Sequence, residues 1–283
     1  VPRAFPIAHC FLTVLLPAVT PVLLAQWPDY PSPLVPKTAD GKPDLNGPTP
    51  RTADGHPDLS GVWQYQRPPG TPPPAPRSSS PTADIIPASV RTSQFWNLGA
   101  SFKDGLPFQP WAAELHRQRV ASNSKDNPDA HCLPLGVMQL HTHGQPRKMI
   151  QTPGVMVILY EANAGVRQIF TDGRTLPKDP EPWWFGYSVG HWEGDTLAVE
   201  SANFKDLGWL DVEGSPLTET GKIIERFRRP DFGHLEIEVT IDDPKAYTKP
   251  WTVTVHQRIM VDTDLIEFIC QENSKDGPHL VGK

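Results

Sequence analysis

Leu235, Ile237, Val239 and Ile241 alternate with Glu236, Glu238 and Thr240, and Trp251, Val253 and Val255 alternate with Thr252 and Thr254 in the same way. A period of two puts every second side chain on one face, so each run reads as a strand with one dry and one wet side. Similar runs fill the chain from residue 146 onward. Residues 155–160 are a continuous apolar stretch, and residues 166–171 follow after the turn signal Asn163, Ala164, Gly165. Residues 187–192 and 196–201 flank Glu193, Gly194 and Asp195, and residues 259–261 with 265–270 make a final pair. With residues 61–64 as an early strand, the sequence predicts nine or ten strands joined mostly by short turns. Antiparallel strands in series must hide their edges, and closure into a barrel does so. The expected fold is therefore all-β, an antiparallel β-barrel.

Proline limits what else can be present. Of 34 prolines in 283 residues, 18 fall in residues 28–110, which excludes a long helical bundle there. Residues 38–47 and 52–61 are near-copies, Thr-Ala-Asp-Gly-Lys-Pro-Asp-Leu-Asn-Gly and Thr-Ala-Asp-Gly-His-Pro-Asp-Leu-Ser-Gly. Their Asp-Gly pairs are turn signals, and the regular loop with a terminal bidentate glutamate that calcium needs is missing. Residues 26–60 thus read as an extended, turn-rich arm. Residues 67–87 form a proline- and serine-rich loop. One helix is expected, starting at Pro110 and running to Ala121, with Trp111 and Leu115 one turn apart to dock it. The barrel domain spans 61–283, with the loop and helix inserted at 67–130.

The N-terminus points to export. Arg3 is the one charge in residues 1–25, and residues 11–25 are apolar, too short and too proline-broken for a spanning helix. That pattern describes a signal peptide at 1–25 with cleavage after Ala25; the alternative is a buried strand. Removing it takes away Cys10 and leaves Cys132 and Cys270, which in an oxidising compartment pair as a disulfide or stay as separate buried thiols. The expected location is periplasmic or secreted, with no membrane span after processing. A net charge of −6 lacks the basic footprint of a nucleic-acid binder.

Two resemblances add to this reading. Gly61, Val62 and Trp63 at the head of the first strand resemble the Gly-x-Trp start of lipocalin-type (calycin) barrels. Residues 52–63, 168–174, 186–197 and 240–251 resemble a family of uncharacterised exported proteins frequent in Acidobacteria. That resemblance implies export and a compact β fold and carries over no catalytic residue.

Several patterns invite chemistry. Gly186, Tyr187, Ser188, Val189 and Gly190 match the G-x-S-x-G nucleophile elbow, but hairpin composition follows where the elbow needs a helix. His141 and His143 would share one face of an extended segment, as in cupin-type metal barrels, yet Arg147 and Lys148 occupy the stretch where an acidic ligand is required. The carboxylate pairs Glu161 with Asp172, Glu193 with Asp195 and Asp242 with Asp243 read as turns or solvated faces. No catalytic residue, metal ligand or cofactor is assigned. Nine tryptophans are the unusual resource, and Trp183, Trp184, Phe185 and Tyr187 concentrate aromatic surface in one loop and strand entry. They bind apolar molecules or sugar rings, or they fill a core. Arg167, Arg174, Tyr187 and His191 are the polar side chains expected to face the same cavity.

The leading expectation is an exported barrel that binds a small aromatic or apolar molecule in its mouth. The alternatives are a secreted hydrolase or lyase acting on glycosides or esters, and a structural component of a cell-surface assembly whose partner is held by the proline-rich arm.

Overall fold

A computed structural model describes residue 32 and residues 34–68, 93–206 and 208–270. The expected signal peptide and most of the proline- and serine-rich loop lie outside these residues.

The strands are β1 (Gly61–Gln66), β2 (Arg147–Thr152), β3 (Val155–Tyr160), β4 (Gly165–Phe170), β5 (Tyr187–Glu193), β6 (Thr196–Ala202), β7 (Gly208–Trp209), β8 (Pro216–Leu217), β9 (Lys222–Arg228), β10 (His234–Asp242) and β11 (Trp251–Met260). Nine of them close a barrel in the order β1-β11-β10-β9-β6-β5-β4-β3-β2, while β7 and β8 pair in an excursion between β6 and β9. The barrel is closed, as expected. It is not wholly antiparallel: β4 and β5 run parallel and share only the pairs Ile169 with Ser188 and Phe170 with Val189. Residues 265–270 are not a strand, because residues 251–260 already form one continuous strand long enough to pair with both β1 and β10.

Two-residue connections set the register of the hairpins. Gly194 and Asp195 join β5 to β6, and Pro153 and Gly154 join β2 to β3, with the turn glycines at φ +60° and +87°. Alternation then decides what faces inward. Trp63, Met149, Ile158, Ile169, Val199, Phe227, Ile237 and Val255 occupy inward positions and are buried. Trp63 sits at the closing seam, where its indole N–H donates to the Leu59 carbonyl at 3.0 Å.

The arm folds onto the barrel. Both copies of the repeat adopt the same turn: the Thr38 and Thr52 amides donate to the Lys42 and His56 carbonyls at 2.8 and 2.9 Å. Gly41 and Gly55 hold φ +81° and +87°, which L side chains rarely adopt. The first copy accepts main-chain bonds from Phe232 and Gly233, and the second is clamped by Arg51 to Asp195 at 2.7 and 2.8 Å.

The expected helix is present as α1 (Pro110–Ala121), with Pro110 at its first turn. The expected residues take part in its docking: Trp111, 43% exposed, donates its indole N–H to the Lys245 carbonyl at 2.8 Å, and Leu115 is half-buried. Further contact runs through Ala112, through His116 stacked on Phe108, and through Arg119 over the Trp209 ring. A second, short helix α2 (Val137–Thr142) is wholly buried and plugs the barrel. Cys132 and Cys270 form a disulfide with a Cα separation of 5.6 Å, tying the segment that leads into the plug to the end of the described chain. No helix among the described residues is long and apolar enough to cross a membrane.

Candidate functional site

A parallel pair cannot be joined by a hairpin, so residues 171–186 must travel back along the wall between β4 and β5. With only two residue pairs shared, the strands splay and a cleft opens on the outer wall of the barrel. Main-chain bonds hold its aromatic rim in place. The Trp183 amide donates to the Asn203 carbonyl, and the Lys205 amide donates to the Trp183 carbonyl, both at 3.1 Å. Gly186 turns the chain at φ +59°, and a Cβ there would lie 2.5 Å from the Ala202 carbonyl and 2.8 Å from the Phe204 ring. Any larger residue would push the rim off the strand.

The resulting cavity measures about 610 Å³, within the usual size of a small-molecule site. Its apolar wall comes from Val166, Phe170, Pro177, Trp183, Trp184 and Phe185. Trp183 is 54% exposed and stacks on Tyr187 at 4.4 Å between ring centres, and the Tyr187 hydroxyl donates to the Glu181 carbonyl at 3.2 Å. Arg174 lies 3.8 Å over the Phe170 ring and pairs with Asp172 at 2.6 Å. Lys205 contributes the third cation of the lining, with Arg167 and Ser188 among the residues beneath.

Five of the six side chains expected to bind ligand therefore meet in one place: Trp183, Trp184, Tyr187, Arg167 and Arg174. His191 does not. It shares the outward face with Tyr187 but lies farther along β5, with a 72% exposed side chain that bonds Glu193 at 3.0 Å. Trp183 and Trp184 both line the cavity, the first exposed and the second half-buried, because the chain turns at Trp184 and Phe185. Lys205 had no signal in the sequence. It reaches the cavity because its backbone pairs with the aromatic loop.

Arg167 belongs to both the cleft and the barrel interior. Both Glu225 oxygens accept from its guanidinium, one at 2.9 Å, while Ser201 accepts at 2.9 Å and Ser188 at 3.2 Å. His141, on the plug, bonds the same Glu225 at 2.7 Å. All five side chains are buried. Burial works against the Glu225 charge, but Arg167 and His141 outweigh it and bring its pKa down to about 2. Burial opposes the Arg167 charge as well, and Glu225 overcomes it, so that pKa is raised. The His141 pKa is lowered, chiefly by burial and against the pull of Glu225. Arg147 closes the plug by donating to the His141, His143 and Gln145 carbonyls at 2.6, 2.9 and 3.2 Å, and burial lowers its pKa to about 10.

These contacts dispose of the chemical patterns read from the sequence. Ser188 lies within a strand and its partners are Arg167 and Ser201, neither of which is a general base. His141 and His143 do not share a face: the first ends a helix inside the barrel, and the second lies beyond it with its ring 5.0 Å from Phe95. Asp243 organises a turn through the Thr218 amide and hydroxyl at 2.7 and 2.8 Å. Glu193 pairs with Arg226, Asp195 with Arg51, and Asp172 with Arg174. No group of three or more His, Cys, Asp or Glu side chains among the described residues could hold a metal ion.

Compared with protein-family models, curated proteins and solved structures, the chain matches none. The cleft and the buried network therefore carry the functional reading by themselves.

Proposed function

We propose that this protein binds a small aromatic or apolar molecule in the cleft on the outer wall between β4 and β5, and that it does so after export. The single observation that carries this reading is a walled cavity of about 610 Å³ lined mainly by aromatic and aliphatic side chains. Exposed aromatic surface of this kind is costly in water unless it has a use. Trp183 and Val166 are more than half exposed there, at 54% and 53%. The site differs from the expected barrel mouth, because α2 and the Arg167–Glu225–His141 network occupy the interior. The Cys132–Cys270 disulfide supports an oxidising compartment, in line with the resemblance to exported proteins.

The neutral dye N-phenyl-1-naphthylamine tests the site. It should bind saturably with a rise in its fluorescence, and Val166→Arg should abolish that rise by filling the cleft. Val166 faces outward, so the variant should keep the thermal transition of the parent. Dye binding that is indifferent to Val166→Arg would move the site elsewhere.

A further inference from the structure

The charged side chains that line this cavity are all of one sign. Arg167, Arg174 and Lys205 line it, and no aspartate or glutamate does, although the chain as a whole carries a net charge of −6. The three cations are not equivalent. Arg167 is saturated by Glu225 and the two serines, so it offers little to a ligand. Arg174 is neutralised by an exposed pair with Asp172, the kind of contact that contributes only about 0–1 kcal/mol and yields readily to a competitor.

Lys205 has no carboxylate partner among the described residues. Its ammonium lies 5.7 Å from the centre of the Trp184 ring, at the cavity edge. The neighbouring Asp206 accepts from the Glu219 amide at 3.3 Å. The backbone of Lys205 is held by its bond to Trp183, which brings its side chain to the rim of the aromatic wall.

We infer that the ligand is an aromatic carboxylate: its ring system lies against Trp183, Trp184 and Phe170, and its carboxylate accepts from Lys205, with Arg174 as the second donor. This deepens the binding reading and rests on it. A charge-assisted bond at the mouth of a low-dielectric wall is worth more than the same pair in open water. A neutral molecule of the same shape would keep the stacking and lose that bond.

The test compares 1-naphthylacetate with its neutral counterpart 1-naphthylacetamide by quenching of tryptophan fluorescence at low salt. The acid should bind roughly tenfold tighter, as a charge-assisted hydrogen bond predicts. In Lys205→Met that ratio should fall toward one, while Lys249→Met, an exposed lysine between β10 and β11, should leave it at the parent value. Rising salt should narrow the ratio in the parent. Equal affinity for the two compounds in the parent, or a ratio unchanged by Lys205→Met, would overturn the carboxylate assignment and leave the binding site standing. Failure of both compounds to bind, together with failure of the neutral dye, would overturn the site itself.

Discussion

Inside the barrel, Arg167, Glu225, His141, Ser188 and Ser201 form a buried network in which Glu225 serves two cationic or hydrogen-bonding partners at once. On the outer wall, across the same strand β4, Val166 and the rim tryptophan Trp183 stand more than half exposed. A barrel is usually expected to be dry within and wet without. Here the interior holds the matched Arg167–Glu225–His141 group, and the outer wall holds apolar surface that stays exposed among the described residues. The Arg167–Glu225 pair is satisfied within the chain and serves stability, while the Nδ1 of His141 beside it is buried without a partner among the described residues. A region with unmatched surface is open to a ligand. Arg167 marks the boundary, since its guanidinium is spent inside while its strand forms the wall of the cleft.

The largest effect should come from breaking the interior. Glu225→Ala leaves Arg167 buried without its counter-ion, and removing one partner of a buried pair typically costs about 3–5 kcal/mol. Urea denaturation followed by circular dichroism should show that loss. The double variant Glu225→Leu with Arg167→Met should cost less than the single change, because no unpaired charge is left behind. A double variant worse than the single one would mean that the network contributes more than mutual neutralisation.

Acid should act on the interior in the same sense. The His141 pKa is held below 6.5 and the Glu225 pKa falls from 4.5 to about 2, so in both cases the unfolded chain binds protons more readily than the folded one. Stability from these groups is full above pH 6.5, declines as His141 is protonated on unfolding, and declines further as pH falls from 4.5 toward 2. The urea midpoint measured between pH 7 and pH 3 should drop steadily, and Glu225→Ala should flatten the acid limb.

The disulfide touches both regions, since Cys132 precedes the cleft-lining Pro134 and the plug α2. Cys132→Ser with Cys270→Ser should cost about 2–4 kcal/mol, the usual range for a bridge closing a long loop. Peptide mapping without reduction should recover the linked pair; separate peptides for the two cysteines would show that it had not formed.

The smallest change should come from the cleft. Trp183→Ala removes an exposed indole and should cost less than about 1 kcal/mol, against about 3–5 for a buried aromatic. The same variant should lose most of the dye binding. A large stability loss would erase the distinction between paired interior and open cleft.

How much of this was legible follows from the same contrast. A continuous apolar run exposed β3, regular alternation exposed β10 and β11, the turn residues 193–195 exposed the β5–β6 hairpin, and Pro110 marked the start of α1. Closure could be argued from the strand count alone. β9 was not legible, because Lys-Ile-Ile-Glu-Arg-Phe-Arg puts Glu225 at an inward position where alternation expects an apolar residue. The charge makes sense only beside Arg167, which comes 58 residues earlier. The plug was not legible because it is only six residues long and mixes core side chains, Val137, Met138 and Leu140, with Gln139 and His141, whose burial makes sense only beside partners far along the chain such as Glu225. The aromatic cluster was visible as composition, whereas its placement depended on the parallel β4–β5 pair, which no local pattern announces. Lys205 was drawn in by main-chain pairing to Trp183, which owes nothing to side-chain type.

The seam between β1 and β11 sets a schedule for the chain. Trp63 pairs with Ile259, and the disulfide joins cysteines 138 residues apart. Neither link can form until the far end of the sequence has arrived, so the first strand, which can pair with β2 on one side, must keep its other edge open while nearly two hundred later residues are supplied. Contacts of such sequence separation make folding slow, and a strand edge left open in the interval is prone to wrong partners. The arm offers a means of waiting safely. Its two turns close through bonds four residues apart, between Thr38 and Lys42 and between Thr52 and His56, and need nothing from downstream. The segment leading into β1 can therefore take its shape early and hold the first strand at the ready until the last one comes to close the ring.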